Sequence, residues 1–244
     1  MITAVLTRPQ DDSERLARIL QGKKVHTLIL PLMTIVGSLS SGKADPPCLT
    51  SGTVVVFVSA NAVRFGLPLL KPELDRQENL TFIAIGRKTH DTLLAAGIEA
   101  LMPTQADSEG LLAMAELSAR EKPDVVIVKG EGGRELLADE LTRRGAQVTD
   151  WVCYRRCWPE VDVSPLLKLS LPIVFQASSG EMLSRLSELL AGEQRMDLFQ
   201  SPVIVPSERV ASLAAGLGWG RVVCAEDASD LAFERTLKSL LSVE

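Results

Sequence analysis

The sequence predicts an α/β protein with two parallel sheets, in which one domain is inserted into the other. Short runs of apolar and β-branched residues alternate with segments of helical periodicity, as in repeated β–α–β units. Two linkers interrupt this alternation, at residues 37–52, which are rich in glycine, serine and proline, and at residues 159–164. Two predicted strands precede the first linker and three follow the second, so the two ends of the chain together form one five-stranded sheet.

Each strand is predicted from a short apolar run, and each helix from apolar residues at helical spacing behind a capping residue. The predicted strands are residues 2–6, 25–30, 53–59, 81–85, 100–102, 125–128, 148–154, 172–175, 202–205 and 222–225. The predicted helices are residues 11–20, 61–70, 86–96, 108–120, 207–217 and 229–241, with two more beginning at residues 136 and 178. The run Asp11-Asp12-Ser13-Glu14 predicts an N-cap and a capping box for the first helix.

The linkers set the predicted domain boundaries. Residues 1–36 together with 160–244 form the first lobe, and residues 39–152 form the inserted lobe. Residues 32–38 and 152–159 connect the two lobes, and we expect these connections to pair as a two-stranded ladder. Two adjacent lobes joined in this way leave a cleft, which is where ligands usually bind.

The composition excludes several classes of protein. The 244 residues are 46% hydrophobic and 23% charged, with a net charge of −5, which argues against nucleic-acid or membrane-surface binding. The N-terminus lacks the pattern of an export signal, and no apolar run approaches the roughly 18 residues of a membrane span. The four cysteines show no C-x-x-C spacing, as for thiols in a reducing cytosol. We therefore expect a cytoplasmic protein.

The carboxyl ends of the predicted strands carry the candidate ligand-binding residues, because ligands of open α/β sheets bind at that edge. Small hydroxyls and glycines recur there, as expected where backbone N–H groups at helix starts receive an anion. The candidates are Thr7, Arg8, Ser59, Asn61, Gly86, Arg87, Thr89, Lys129, Gly130, Arg134, Ser178, Ser179 and Ser207.

Four arginines occupy early helical turns, where a cation opposes the helix dipole at about 0.3–1 kcal/mol each. They are Arg64, Arg87, Arg134 and Arg209. As a set they indicate an anionic ligand with several charges; the alternative is that each is a solvated surface arginine.

Other catalytic motifs are weak. Gly130, Gly132 and Gly133 depart from the dinucleotide pattern because residue 135 is glutamate. His26 and His90, the only histidines, lack a triad context. The only tyrosine, Tyr154, lies on a crossing strand beside two arginines. It presents its hydroxyl to the cleft as a weak general acid, or it is an interface residue with a solvated hydroxyl.

The order of these motifs resembles that of uroporphyrinogen-III synthases of the bacterial type. The resemblance covers the whole chain, although the chain has Ala60-Asn61 and Glu208 where many relatives have Pro-Arg and threonine. It rests on Val5-Leu6-Thr7-Arg8-Pro9, Phe57-Val58-Ser59-Ala60-Asn61, Ile83-Ala84-Ile85-Gly86-Arg87-Lys88-Thr89, Lys129-Gly130-Glu131-Gly132-Gly133-Arg134, Tyr154-Arg155-Arg156, Ser207-Glu208-Arg209 and Gly218-Trp219.

This resemblance implies two flavodoxin-like lobes and an enzyme that needs no metal or cofactor. Members convert linear hydroxymethylbilane into uroporphyrinogen III, with loss of water and inversion of the last pyrrole through a spirocyclic intermediate. Tyr154 matches the tyrosine thought to help the hydroxyl leave, and residues 7, 59, 89, 179 and 207 match positions that face substrate. We expect a monomer, a transient contact with the preceding pathway enzyme, and no nucleic-acid or membrane partner. The alternatives are a non-catalytic binder of a small anion and a nucleotide-dependent transferase.

Overall fold

The protein was analysed as a computed structural model, which describes residues 2–38, 45–118, 122–132, 136–170 and 172–243. The strands are β1 (Ile2–Leu6), β2 (Val25–Ile29), β3 (Thr34–Gly37), β4 (Val54–Phe57), β5 (Thr81–Ala84), β6 (Asp124–Gly130), β7 (Gln147–Cys157), β8 (Ile173–Gln176), β9 (Pro202–Val205) and β10 (Arg221–Cys224). The helices are α1 (Gln10–Leu20), α2 (Ala60–Leu74), α3 (Arg87–Ala95), α4 (Ser108–Leu112), α5 (Ala115–Ser118), α6 (Leu136–Arg143), α7 (Ser164–Leu167), α8 (Gly180–Gly192), α9 (Glu208–Gly216) and α10 (Asp230–Val243).

The chain divides into two compact units. The first unit comprises Met1–Thr34 and Cys157–Glu244, and the second comprises Ile35–Arg156. Each unit contains one five-stranded sheet, with the order β10-β9-β8-β1-β2 in the first and β3-β7-β6-β4-β5 in the second. β3 and β7, which carry the two crossings of the chain between units, are neighbours in the second sheet.

The sheet of the first unit is parallel and covered on both faces. β1 pairs in parallel with β2 and β8, and β9 pairs in parallel with β8 and β10. Side chains alternate between the faces of a strand. Phe175 accordingly belongs to one buried cluster, with Trp219, and Val174 to another, with Phe233.

The sheet of the second unit has the same construction. β4 pairs in parallel with β5 and β6, and β6 pairs in parallel with β7. Phe57 and Val128 lie in one buried cluster, while Val56 and Ile127 lie in another. Because both faces are buried, these strands consist of nearly unbroken apolar runs, which is why the sequence identified them.

Helix α2 is longer than predicted. It continues past residue 70 to Leu74 although Pro68 and Pro72 each lack a backbone N–H donor. Packing explains the extension, since Leu74 packs against the same buried cluster as Val63 and Leu70. Gly66 permits the close approach, because a Cβ there would lie 2.6 Å from Val128 Cγ1.

Three other local predictions were wrong. The first helix begins at Gln10 after Pro9, with no side-chain capping bond, so Asp11 and Asp12 lie in its first turn instead of forming a capping box. The predicted helix 108–120 is divided into α4 and α5, and residues 119–121 lie outside the described part of the chain. The predicted strand 100–102 is only an isolated parallel bridge between Leu101 and Ile83. In addition, the 3-10 helix Met196–Gln200 and helix α7 were not predicted.

Within the described residues, no helix has the length and apolar character needed to cross a membrane.

Candidate functional site

A pocket of about 290 Å³ lies in the second unit, at the carboxyl ends of β4 and β6. Its apolar lining consists of Val58, Ile85, Ile127, Leu137 and Ala138. Its hydroxyl groups come from Ser59, Ser108 and Tyr154. Its charged side chains are Lys129, Glu131, Asp150 and Arg156. The pocket therefore combines an apolar surface with a few polar groups, the usual composition of a small-molecule site.

Tyr154 is held in the wall of this pocket. The residue is only 5% exposed, and its ring packs against Phe65 with the centroids 5.9 Å apart. Its hydroxyl oxygen lies 3.1 Å from Ser59 Oγ, and either atom can be the donor. A buried phenol hydroxyl needs a hydrogen-bond partner, which Ser59 provides, while Phe65 packs against the apolar ring.

Ser59 has a second role as the N-cap of α2. Its Oγ accepts a hydrogen bond from Ala62 N at 3.0 Å, and its backbone is extended, with φ −166° and ψ 160°. An N-cap serine satisfies one of the unpaired N–H groups at a helix start. The serine is therefore fixed by the helix, and it anchors the phenol of Tyr154 in turn.

A bulge in β7 at Cys153 brings Gly130 opposite Tyr154. The pairing of β6 with β7 shifts between Lys129, which faces Val152, and Gly130, which faces Tyr154. Beyond the shift, Glu131 N donates to Tyr154 O at 2.7 Å. Bulges commonly redirect side chains near binding sites, and here the irregularity lies at the pocket wall.

The charges of the pocket are partly paired. Lys129 Nζ forms an ion pair with Asp150 Oδ2, and the two side chains are 16% and 32% exposed. Glu131 and Arg156 also line the pocket and are exposed. The charges of the four side chains cancel. Lys129 is paired with Asp150, whereas Arg156 forms no ion pair within the described residues.

Of the other residues predicted in the second unit, those that the structure describes lie outside this lining. Asn61 is in the first turn of α2, and Gly86 is the N-cap of α3 without a side-chain capping bond. Arg87 is exposed, with its Nε 3.8 Å from Asp91 Oδ2, and Thr89 is buried in the first turn of α3. Arg134 lies outside the described residues.

In the first unit, Thr7 and Arg8 make internal bonds. Thr7 Oγ1 donates to Gln176 O at 2.6 Å, which joins the ends of β1 and β8. Arg8 is 7% exposed; its guanidinium donates to Ala228 O at 2.5 Å and forms an ion pair with Asp230. Burial lowers the pKa of Arg8, and Asp230 opposes that shift.

The three predicted serines of the first unit lie at strand ends as expected. Ser178 precedes Ser179, which caps α8 by accepting a hydrogen bond from Met182 N at 3.2 Å. Ser207 is the N-cap residue of α9 but makes no side-chain capping bond. The hydroxyl group of Ser207 therefore does not cap α9.

Several pocket residues were missed by the sequence analysis. Asp150 and Arg156 lie at even separations from Tyr154 on β7, but the bulge at Cys153 interrupts the two-residue alternation between Asp150 and Tyr154, so spacing alone could not place Asp150 in the pocket. Ser108 had no comparable signal, because it follows an irregular segment. Within the described ranges, no group of three or more His, Cys, Asp or Glu side chains could hold a metal ion.

Two mainly parallel sheets in one chain, with a pocket at the strand ends of one of them, define an α/β protein with a candidate ligand site at those strand ends. A sequence model of the family described as uroporphyrinogen-III synthase HemD matches residues 14–232. The chain belongs to the uroporphyrinogen-III synthase family.

Individual relatives agree with this assignment. The chain is 31% identical to uroporphyrinogen-III synthase of Escherichia coli strain K12 over 253 residues, covering 97% of this chain and 100% of the relative. The Salmonella typhimurium LT2 enzyme of the same name is also 31% identical, over 264 residues, with 97% and 100% coverage.

Solved structures show the same fold. The uroporphyrinogen-III synthetase of Helicobacter pylori 26695 superposes with a TM-score of 0.59 at 17% identity, covering 100% of both chains. A mutant uroporphyrinogen III synthase of Thermus thermophilus gives a TM-score of 0.52 at 15% identity, covering 98% of this chain and 100% of that one. The predicted family and α/β fold with parallel sheets are therefore confirmed.

Proposed function

We propose that the protein cyclises hydroxymethylbilane to uroporphyrinogen III, with inversion of the last pyrrole through a spirocyclic intermediate and loss of water. Membership of the uroporphyrinogen-III synthase family carries the proposal. The pocket of the second unit supports it, because a buried phenol lies there beside a serine hydroxyl and near an apolar surface.

Tyr154 is the proposed general acid. The C–O bond of the substrate hydroxymethyl group breaks, and the oxygen leaves with the bonding electrons and the phenol proton as water. The pyrrole nitrogen lone pair stabilises the carbon left behind, and the last pyrrole attacks it through its substituted α-carbon to give the spirocycle. The bond from that α-carbon to its original methylene bridge then breaks, and the bridge carbon bonds to the free α-carbon of the same pyrrole, which inverts the ring and releases the proton of that α-carbon. The proton released on ring closure restores the phenol, so only water is lost in total. General acids of this kind contribute about 10²–10⁴-fold in rate.

The substrate is larger than the pocket. Hydroxymethylbilane has four pyrrole rings and eight carboxylates, whereas about 290 Å³ is at the lower end of the range for small-molecule sites. We therefore propose that the pocket holds the reacting part of the bilane. The other predicted strand-end residues, apart from Arg8, whose guanidinium is buried against Asp230, remain candidates for the remaining carboxylates, since backbone N–H groups and arginines suit such anions.

Positioning is the main contribution we propose for the protein. The bilane closes by itself to the uninverted isomer, so the enzyme must impose one folded substrate shape. Strong acid–base groups are not required for that task. We accordingly propose a lyase that works without metal or cofactor. The cytoplasmic location, the monomeric state and transient contact with the preceding enzyme remain predictions from the sequence.

Analysis of the product isomers tests the proposal. Freshly prepared hydroxymethylbilane is incubated with the protein, and uroporphyrinogens I and III are resolved after oxidation, with a protein-free sample as control. Isomer III in the protein sample and isomer I in the control are expected. Isomer I alone, together with measurable binding of the bilane, would favour the non-catalytic anion binder.

A further inference from the structure

We propose that Gly130 is a positioning residue for Tyr154: the missing side chain at 130 is what allows the phenol to occupy its place beside Ser59. The inference rests on the proposed role of Tyr154 in the reaction. A Cβ built at residue 130 would lie 2.4 Å from Tyr154 Cζ, 2.5 Å from Cε2 and 2.8 Å from the hydroxyl oxygen. Carbon atoms in contact prefer about 3.5–4.0 Å, so the ring would have to move by about 1 Å.

Backbone freedom does not explain this glycine. Gly130 is the last residue of β6 and has no positive φ, whereas the neighbouring Gly132 has φ +74°. A residue with a side chain could therefore adopt the backbone conformation at 130. Glycine within a strand weakens the strand and often marks the close approach of another group. The group that approaches here is the aromatic ring of Tyr154.

The surroundings prevent the ring from moving without consequence. The backbones of the two residues are held opposite each other, since Gly130 pairs with Tyr154 across the bulge and Glu131 N donates to Tyr154 O at 2.7 Å. A ring displaced from Gly130 must therefore rotate about its own side-chain bonds. That rotation alters the 3.1 Å contact with Ser59 and the packing against Phe65.

The displaced hydroxyl would no longer meet the leaving group correctly. A misplacement of about 1 Å at a reacting group can reduce turnover by about 10²-fold. Gly130→Ala is thus expected to lower kcat by about 10²-fold, with little change in KM. Gly192→Ala is the matched control, because Gly192 ends α8 with nothing within 4 Å of its added Cβ; its activity should equal that of the wild type.

A double-mutant cycle separates this role from direct interference with substrate. If Gly130 acts through the phenol hydroxyl, Gly130→Ala adds no further loss of kcat in a Tyr154→Phe background. Multiplication of the two losses would overturn the proposal, because it would mean that the added methyl group obstructs the substrate itself. The Raman Fermi doublet of the phenol provides a direct readout, since Tyr154 is the only tyrosine. Its intensity ratio should change in Gly130→Ala, and an unchanged ratio would also overturn the proposal.

Stability measurements decide the case in which Gly130→Ala does not fold. A leucine side chain at position 154 lacks the three ring atoms that the added Cβ would meet, so Tyr154→Leu should restore the thermal midpoint of Gly130→Ala to that of Tyr154→Leu alone. Absence of that rescue contradicts the proposed relation. Failure of the wild-type protein to form isomer III would instead remove the proposed function, while the Raman and rescue results would still decide how Gly130 and Tyr154 are related.

Discussion

The hydroxyl oxygen of Tyr154 lies 3.1 Å from Oγ of Ser59. This contact links strand β7, which contains Tyr154, to the N-cap residue of helix α2. Ser59 Oγ also accepts a hydrogen bond from Ala62 N at 3.0 Å. The phenol is therefore tied to a helix start whose position the sheet determines. This arrangement places one hydroxyl pair, with restricted motion, in the wall of the pocket.

Replacing Tyr154 by phenylalanine removes the proposed acid and leaves the ring. Turnover to uroporphyrinogen III is expected to fall by about 10²–10⁴-fold, the contribution of a general acid. The fold should be retained, because Phe65 still packs against the ring and Ser59 still receives the bond from Ala62 N. Initial rates and circular dichroism check the two statements, and unchanged kinetics would remove the role assigned to Tyr154.

Replacing Ser59 by glycine removes the partner of Tyr154 but keeps a residue that caps helices acceptably. The change should cost a few tenths of a kcal/mol through the cap and about 1–3 kcal/mol through the lost hydrogen bond to the buried phenol, while kcat is expected to fall by about tenfold because the phenol is less well oriented. Ser229→Gly is the matched control: Ser229 Oγ accepts from Ala232 N at 3.1 Å at the start of α10. Equal loss of activity in both variants would show that capping alone is responsible.

The ion pair between Lys129 and Asp150 predicts that neutralising one residue and neutralising the other change substrate affinity in opposite directions. Asp150→Asn leaves Lys129 free to bind a substrate carboxylate, whereas Lys129→Met leaves the carboxylate of Asp150 unopposed. Because a hydrogen bond to a charged group is worth about 1.5–3 kcal/mol and both groups are partly solvated, we expect KM to change by about 3- to 10-fold. KM should decrease in Asp150→Asn and increase in Lys129→Met. Steady-state kinetics at two salt concentrations measure this, and changes in the same direction contradict it.

The sequence predicted best the features that depend on residues adjacent along the chain. The central strands β4, β6 and β8 are buried on both faces and appear as apolar runs. Ser59 and Ser179 were placed next to helix starts, but the helices were predicted to begin at residues 61 and 178, so neither residue was identified as the N-cap that it is. The extent of α2 was not predictable, since its prolines oppose a helix that packing on the sheet maintains.

The geometry of the site depended on contacts between distant residues. Ser59 and Tyr154 were each proposed from the sequence, but 95 residues separate them and nothing local indicated their hydrogen bond. The bulge at Cys153, which brings Gly130 against the ring, is likewise a property of the paired strands. Arg8 was interpreted as a ligand residue because it follows a strand, and its ion pair with Asp230 required the folded chain.

That ion pair predicts a large loss of stability. Asp230 also accepts a hydrogen bond from Arg15 Nε at 2.6 Å. Asp230→Asn therefore deprives Arg8 of its carboxylate partner and leaves Arg15 with Asp12 alone. Arg8 is nearly buried, and an unpaired buried charge costs about 3–5 kcal/mol. Asp197→Asn is the control, because its ion pair with Arg195 is solvated and screened and so contributes little to stability. Urea denaturation measures both, and similar midpoints for the two variants would contradict the prediction.

The cysteines are expected to differ in their reactivity towards alkylating reagents. Burial raises the pKa of the Cys153 thiol to about 12, whereas Cys48 and Cys224 are exposed. Near pH 8 the thiolate fraction of Cys153 is then roughly 10³-fold below that of an ordinary thiol, in addition to its steric protection. Iodoacetamide should modify Cys48 and Cys224 in the native protein and Cys153 only after unfolding, as peptide mass spectrometry can determine. A Cys153 that reacts as fast as Cys224 in the native protein would show that the thiol is not buried in solution.

The raised pKa of Cys153 also predicts that the stability of the protein decreases at alkaline pH. The folded state holds the thiol proton more tightly than the unfolded state does, because burial disfavours the thiolate. Its contribution to stability is therefore complete below the unfolded pKa and is lost as the pH rises from about 9 towards 12. Urea midpoints measured across that range should fall in the wild type and fall less steeply in Cys153→Ala. Parallel curves for the two proteins would mean that other groups account for the whole alkaline loss.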